Sequence, residues 1–274
     1  MSNVDPKSFT QSALGRYGYA QAQTNQAAID QGLRSYMLGI YNHMTIGLAI
    51  SALVSLGMFM LSTQATPDGA AAKIGSSIFL TPFGAAVYAS PLKWVVMLAP
   101  LAFIFFFSFR FERMSYSALL GTFWAFAAVM GVSLGSIFLV FQMGSIVQIF
   151  FVTAAAFAGL SLFGYTTKKD LTGVGKFCVM GLIGLVVASL GALLMSSVFG
   201  IKSSGFQFAL NCIGVLVFSG LTAWDTQRLK EEYFYVMGDA TMAAKASLSG
   251  ALNLYLNFIN MFQSLLSIFG TRND

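Results

Sequence analysis

Seven stretches of predominantly apolar residues, about 36–62, 93–109, 117–140, 145–165, 176–199, 205–227 and 248–269, dominate this chain. Each is near the ~20 residues needed to cross a hydrocarbon core, the second being a little short. Inside a bilayer every backbone polar group must find a partner within the protein, so spans of this kind fold as helices. The expectation is an all-α polytopic membrane protein, a seven-helix bundle. Only 9% of the residues are charged and the mean hydropathy is +0.74. A soluble domain carries roughly 25% charged residues, so that class is excluded.

The chain divides into residues 1–33, read as a mobile polar tail rich in Gln, Asn, Ser and Ala, a transmembrane domain over 34–270, and a short C-terminal tail over 271–274. The first apolar segment begins too deep in the chain, and is too long, for a cleavable signal peptide. Between the first two segments, Pro67, Pro82 and Pro91 punctuate a loop with room for a short interfacial piece. The formal net charge is +5, but the basic residues are scattered between segments, which argues against a nucleic-acid partner and for the bilayer as the main one. Counted on alternate sides, eleven Lys and Arg fall on one side (Lys7, Arg16, Arg34, Arg110, Arg113, Lys168, Lys169, Lys176, Arg228, Lys230, Lys245) and four on the other (Lys73, Lys93, Lys202, Arg272). That bias places the N-terminus in the cytoplasm and, after seven crossings, the C-terminus outside; one re-entrant segment would reverse the latter.

The last segment, ALNLYLNFINMFQSLLSIFG, carries Asn253, Asn257, Asn260, Ser264 and Ser267 at steps of four, three, four and three. Such spacing stacks the five side chains along one helical stripe. Two readings fit: glue between helices through hydrogen bonds, or an oxygen-lined path for a hard cation. Asn257 stands about nine residues into the helix, roughly 13 Å along its axis.

Ionisable residues in or beside a membrane helix are costly and therefore informative. Asp225, in GLTAWDTQRLK, is either a helix-end carboxylate with Arg228 as its local partner or a functional group. Arg110, ending the run FIFFFSFR, is either an interfacial anchor or a guanidinium that latches Asp225 across two helices. His43 is the only histidine, and a lone one is read as interfacial, not as a metal ligand. Cys178 and Cys212 lie in apolar stretches without a CxxC spacing and read as unpaired buried thiols. There is no HExxH, no GxxxxGK[ST] and no dinucleotide fingerprint, and the expectation is a protein that is not an enzyme and holds no cofactor.

AWDTQRLK in the sixth segment and GALNLYLNFINMFQSLLSIFG in the seventh, together with the opening LRSYMLGIYNHMTIGLAISAL, resemble the Bax inhibitor 1, or transmembrane Bax inhibitor motif, family. The long first loop and Gln-rich tail are similar to those of bacterial members, which implies the inner membrane. The resemblance implies seven helices around a central last one, and a pH-sensitive calcium leak in which two aspartates share a proton and an arginine latches one of them. Asp225 then falls on the first aspartate and is a candidate calcium contact, Arg110 falls on the arginine, and Asn257 stands where the second aspartate is expected. An amide there removes the like-charge repulsion that makes a carboxylate pair titrate near neutrality, and one negative charge from any calcium site. The expectation is weaker calcium binding and an acid-shifted or absent pH switch. The rival reading is a non-conducting membrane regulator of stress survival or of a membrane-bound protease.

Overall fold

A computed structural model describes residues 6–74, 78–110, 113–200 and 203–273, with side chains described from residue 28 onward except at 107–108. The chain opens with α1 (Pro6–Ser62), whose assignment runs back through the stretch read as a tail. Leu33, at the end of that stretch, is already part of the packed core. Ala, Gln and Arg are tolerant helix formers, so a polar composition does not by itself end a helix.

After α1 the all-α expectation meets an exception. β1 (Thr63–Gln64), β2 (Ala72–Ile74) and β3 (Ile78–Leu80) form a small antiparallel sheet in the order β1-β3-β2. Leu80 is its apolar anchor and is fully buried. The loop between the first two segments thus satisfies its backbone by strand pairing, which a Gly- and Ala-rich composition did not signal. Thr81 then caps α2 (Pro82–Gly84), accepting from the Gly84 amide at 3.0 Å while its own hydroxyl donates to the Leu61 carbonyl at 2.8 Å. A wider helical turn over Ala85–Ala89 follows, and the chain bends by 63° into α3 (Leu92–Arg110), which contains Pro100.

The remaining helices are α4 (Tyr116–Leu134), α5 (Ile137–Val140), α6 (Met143–Thr166), α7 (Thr172–Val198), α8 (Ser204–Val236) and α9 (Ala240–Phe269). By length and apolarity five spans are able to cross a membrane, Ala28–Ser62, Tyr116–Val140, Met143–Thr166, Thr172–Val198 and Ser204–Val236, and the bent pair Pro82–Ala89 with Leu92–Phe106 is a sixth if it counts as one. The chain is an integral membrane protein of helices. The sequence count of seven included α9, and α9 falls short of that apolarity because Asn253, Asn257, Asn260 and Gln263 interrupt it.

Burial separates α9 from the others. It packs against α8, α1, α6 and α4 and buries Leu248, Leu254, Tyr255, Met261 and Leu266 almost completely. Tyr255 meets Phe123 and Phe126 of α4 edge-on, with ring centroids 5.9 and 5.8 Å away. At the other extreme, α7 exposes Phe177, Val187, Leu190 and Leu194, the apolar outer face that a helix turns to lipid.

Candidate functional site

Asp225 is carried on α8 at a point held tightly by its neighbours. A Cβ on Gly164 of α6 would run into the Ala223 carbonyl, and one on Gly175 of α7 into the Trp224 indole. These glycines let α6 and α7 approach the α8 backbone immediately before Asp225. On the next turn, buried Gln227 accepts from the Leu171 amide at 2.8 Å and donates to the Lys169 carbonyl at 2.9 Å. The connection between α6 and α7 is thereby pinned to the same stretch of α8.

Asp225 is 6% exposed, and each of its carboxylate oxygens has a partner. Oδ1 accepts from Arg228 Nη2 at 2.8 Å, one turn along α8, and Oδ2 accepts from Asn257 Nδ2 of α9 at 2.7 Å. Only the donor end of an amide suits an ionised carboxylate, which fixes the orientation of Asn257. Asn257 is as buried as Asp225, whereas the Arg228 side chain is 42% exposed. The guanidinium lies 4.9 Å from the Trp224 ring, a cation–π contact that holds it against the helix. Its Nε is buried without a hydrogen-bond partner, and Glu232, a second partly buried carboxylate, lies within its electrostatic reach.

Of the residues expected to converge, Asp225 and Asn257 do and Arg110 does not. Arg110 is exposed at the end of α3 with its guanidinium 5.8 Å from the Phe106 ring, and among the described residues no ion pair joins it to Asp225. The cation at the carboxylate is Arg228, three residues along the same helix, because a partner on the same helix face needs no movement of another element. In this arrangement the latch contact between Arg110 and Asp225 is not made.

The stripe on α9 divides along its length. Asn253 is half-buried, Asn257 meets Asp225, and the Asn260 amide donates to the Leu256 carbonyl of its own helix at 2.8 Å. Ser264 is buried opposite Gly214 of α8, where an added Cβ would stand 2.7 Å from its hydroxyl. Ser267 is exposed and lines a cavity of about 1340 Å³ between the ends of α7, α8 and α9, with Ser203, Gln207, Asn211 and Arg272. One end of the stripe therefore opens into a cavity that carries several polar side chains, and its middle reaches the carboxylate.

Several polar residues beside this site were not singled out in the sequence. Tyr41 of α1, Ser161 of α6 and Thr226 of α8 form a hydroxyl chain with steps of 2.5 and 2.9 Å, ending on the Thr222 carbonyl at 2.8 Å. Each hydroxyl has one proton to give, so the chain runs in one direction from Tyr41. Ser51 of α1 donates to the Ala127 carbonyl of α4 at 2.7 Å and lies 2.6 Å from the Tyr255 hydroxyl. Isolated hydroxyls in apolar helices were the available signal, but Ser and Thr commonly bond their own helix and so do not stand out. His43 bonds the Gly39 carbonyl at 2.7 Å and the Tyr116 hydroxyl at 3.2 Å. Cys178 is buried and unpaired, and Cys212 is unpaired and half-buried. Among the described residues no three His, Cys, Asp or Glu side chains gather as a metal site.

Comparison with known proteins places this chain in a family. The family model described as inhibitor of apoptosis-promoting Bax1 matches residues 33–274. A protein of Caulobacter vibrioides is 43% identical over 260 residues, covering 94% of this chain and 98% of the relative. The inner membrane protein YbhL of Escherichia coli is 38% identical over 242 residues, covering 88% of this chain and 93% of the relative. A protein of Rickettsia prowazekii is 37% identical over 245 residues, covering 89% and 93%.

Proposed function

From the premise that the chain belongs to the Bax inhibitor family, we propose that it is a cation leak channel of the bacterial inner membrane, conducting calcium and closed where α8 and α9 meet at Asp225. The observation that carries this reading is the buried carboxylate of Asp225, held between the Asn257 amide and the Arg228 guanidinium. An ionisable group at that depth is expensive and is expected where an ion passes. The polar stripe of α9, from Ser267 at the cavity to Asn257 at the carboxylate, supplies the oxygen atoms a hard cation prefers.

In this account α9 is a seventh crossing element and the axis of the bundle, where its asparagines meet protein and water, not lipid. The N-terminus is cytoplasmic and the C-terminus external, following the eleven-to-four bias of basic residues. Calcium takes six to eight oxygens, whereas here one carboxylate and one amide converge, so the ion is passed and not stored. The gate opens when Arg228 or Asn257 lets the carboxylate go, and the protein performs no catalysis.

Calcium flux into proteoliposomes tests the proposal. Asp225→Asn changes the flux if the carboxylate is the gate. No flux from either protein, with both folded, supports instead the non-conducting regulator of stress survival or of a membrane protease.

A further inference from the structure

A second cavity, of about 800 Å³, lies between α1 and α6 with Phe258 of α9 at its floor. It is a lateral groove with an apolar lining, and Leu38, Ala158 and Leu162 on its rim are exposed where lipid would lie. α1 and α6 run antiparallel along it. Leu48 and Phe150 line one end, and Arg34 and Tyr165 the other. From Arg34 to Leu48 is fourteen residues of helix, or roughly 21 Å, longer than the ~15 Å of one leaflet's hydrocarbon. With Arg34 at the headgroup level, a groove of that length passes the midplane.

The two ends differ in charge. Arg34 lines the Tyr165 end, and Lys230 stands beside it, donating to the Tyr165 carbonyl at 3.1 Å with its ammonium 5.3 Å from the Tyr165 ring. Asp30, one turn before Arg34, is the acidic residue of the same mouth. Among the described residues two cations stand against one carboxylate at this end, and none that is charged lines the Leu48 end. A long apolar trough that opens sideways to the bilayer and ends in a basic mouth is complementary to a phosphodiester carrying an acyl chain.

We propose that this groove is a binding site for a single phospholipid of the bilayer, one acyl chain lying along Phe150, Phe157 and Phe258 and its phosphate at Arg34. The site meets the gate region through its wall. Tyr41 and Ser161, which line the groove, pass their hydrogen bonds to Thr226, the residue next to Asp225.

Native mass spectrometry of the full chain released from detergent micelles containing palmitoyl-oleoyl phosphatidylglycerol tests this. Wild type is expected to retain one lipid, Arg34→Gln to bind it about tenfold more weakly through loss of a charge-assisted bond, and Ala158→Trp, which fills the trough, to retain none. Val187→Trp on the exposed face of α7 is the control and keeps the lipid. If Ala158→Trp does not fold, Arg34→Gln decides. Equal lipid retention by wild type and Arg34→Gln overturns the proposal, as does a dimer in place of the lipid adduct, which would make a second copy of the chain the occupant.

Discussion

The Asn257 amide of α9 donates to Asp225 Oδ2 of α8 across 2.7 Å, with both residues buried. This contact joins two buried polar side chains across two helices and sets the chemistry of the site. An amide facing a carboxylate supplies a donor and no charge, so the two groups attract in place of competing for a proton.

The ion pair of Asp225 belongs to Arg228. Arg228→Gln leaves a buried carboxylate with only its amide partner. The expected loss is about 1–2 kcal/mol, less than the 3–5 kcal/mol of a fully buried pair because solvent screens the exposed guanidinium. A double-mutant cycle with Asp225→Asn, followed by thermal unfolding in detergent, should show coupling for Arg228→Gln and none for Arg110→Gln.

Helix approach at the site depends on Gly164. Gly164→Ala places a methyl group against the Ala223 carbonyl, and backbone cannot yield as a flexible side chain does. A cost of about 1–3 kcal/mol is expected, read as a lowered unfolding temperature with α6 displaced from α8.

The Tyr255 hydroxyl is worth a separate test. Ser51 spends its proton on the Ala127 carbonyl, so Tyr255 is the donor in the 2.6 Å contact between them. Tyr255→Phe keeps the aromatic packing with Phe123 and Phe126 and removes one buried hydrogen bond, at a cost of about 1 kcal/mol in the same unfolding measurement.

Outside the membrane spans, Asp170 accepts from the Thr172 amide at 2.8 Å at the start of α7. Hydrogen bonds from Thr172 hold its carboxyl below the usual aspartate range. A carboxylate whose affinity for protons is lowered on folding stabilises the fold above its ordinary titration range and loses that contribution as pH falls through the lowered one. The protection of the Thr172 amide, taken relative to the intrinsic exchange rate at each pH, should therefore be greater at neutral pH and fall in acid, and Asp170→Ala should abolish that change in protection.

The parts of this arrangement legible in the sequence are those written in one helix. The α9 stripe is a matter of spacing, and Arg228 as the partner of Asp225 follows from three residues of separation. Asn257 and Asp225 as a pair came from resemblance, and their contact across two helices agrees with it. Arg110 misled because a side of the membrane is not a position within it: being at the same end as Asp225 does not bring α3 to α8. The strands between α1 and α2 were illegible because they are two or three residues long and carry no sustained alternation. The hydroxyl chain from Tyr41 to Thr226 requires three helices to be placed before any of its members has a partner. Gly164 and Gly175 were likewise indistinguishable among 27 glycines until their neighbours were known.

In the proposed gate, the amide of Asn257 leaves Asp225 without a second carboxylate to share its proton. Two carboxylates at this distance cannot both ionise cheaply, and such a pair responds to pH near neutrality. Calcium flux into proteoliposomes, measured across a pH series for wild type and Asn257→Asp, tests it most directly. A shallow response near neutral pH is expected for wild type and a steep one for Asn257→Asp. A steep response near neutral pH in wild type, unchanged by Asn257→Asp, would contradict it.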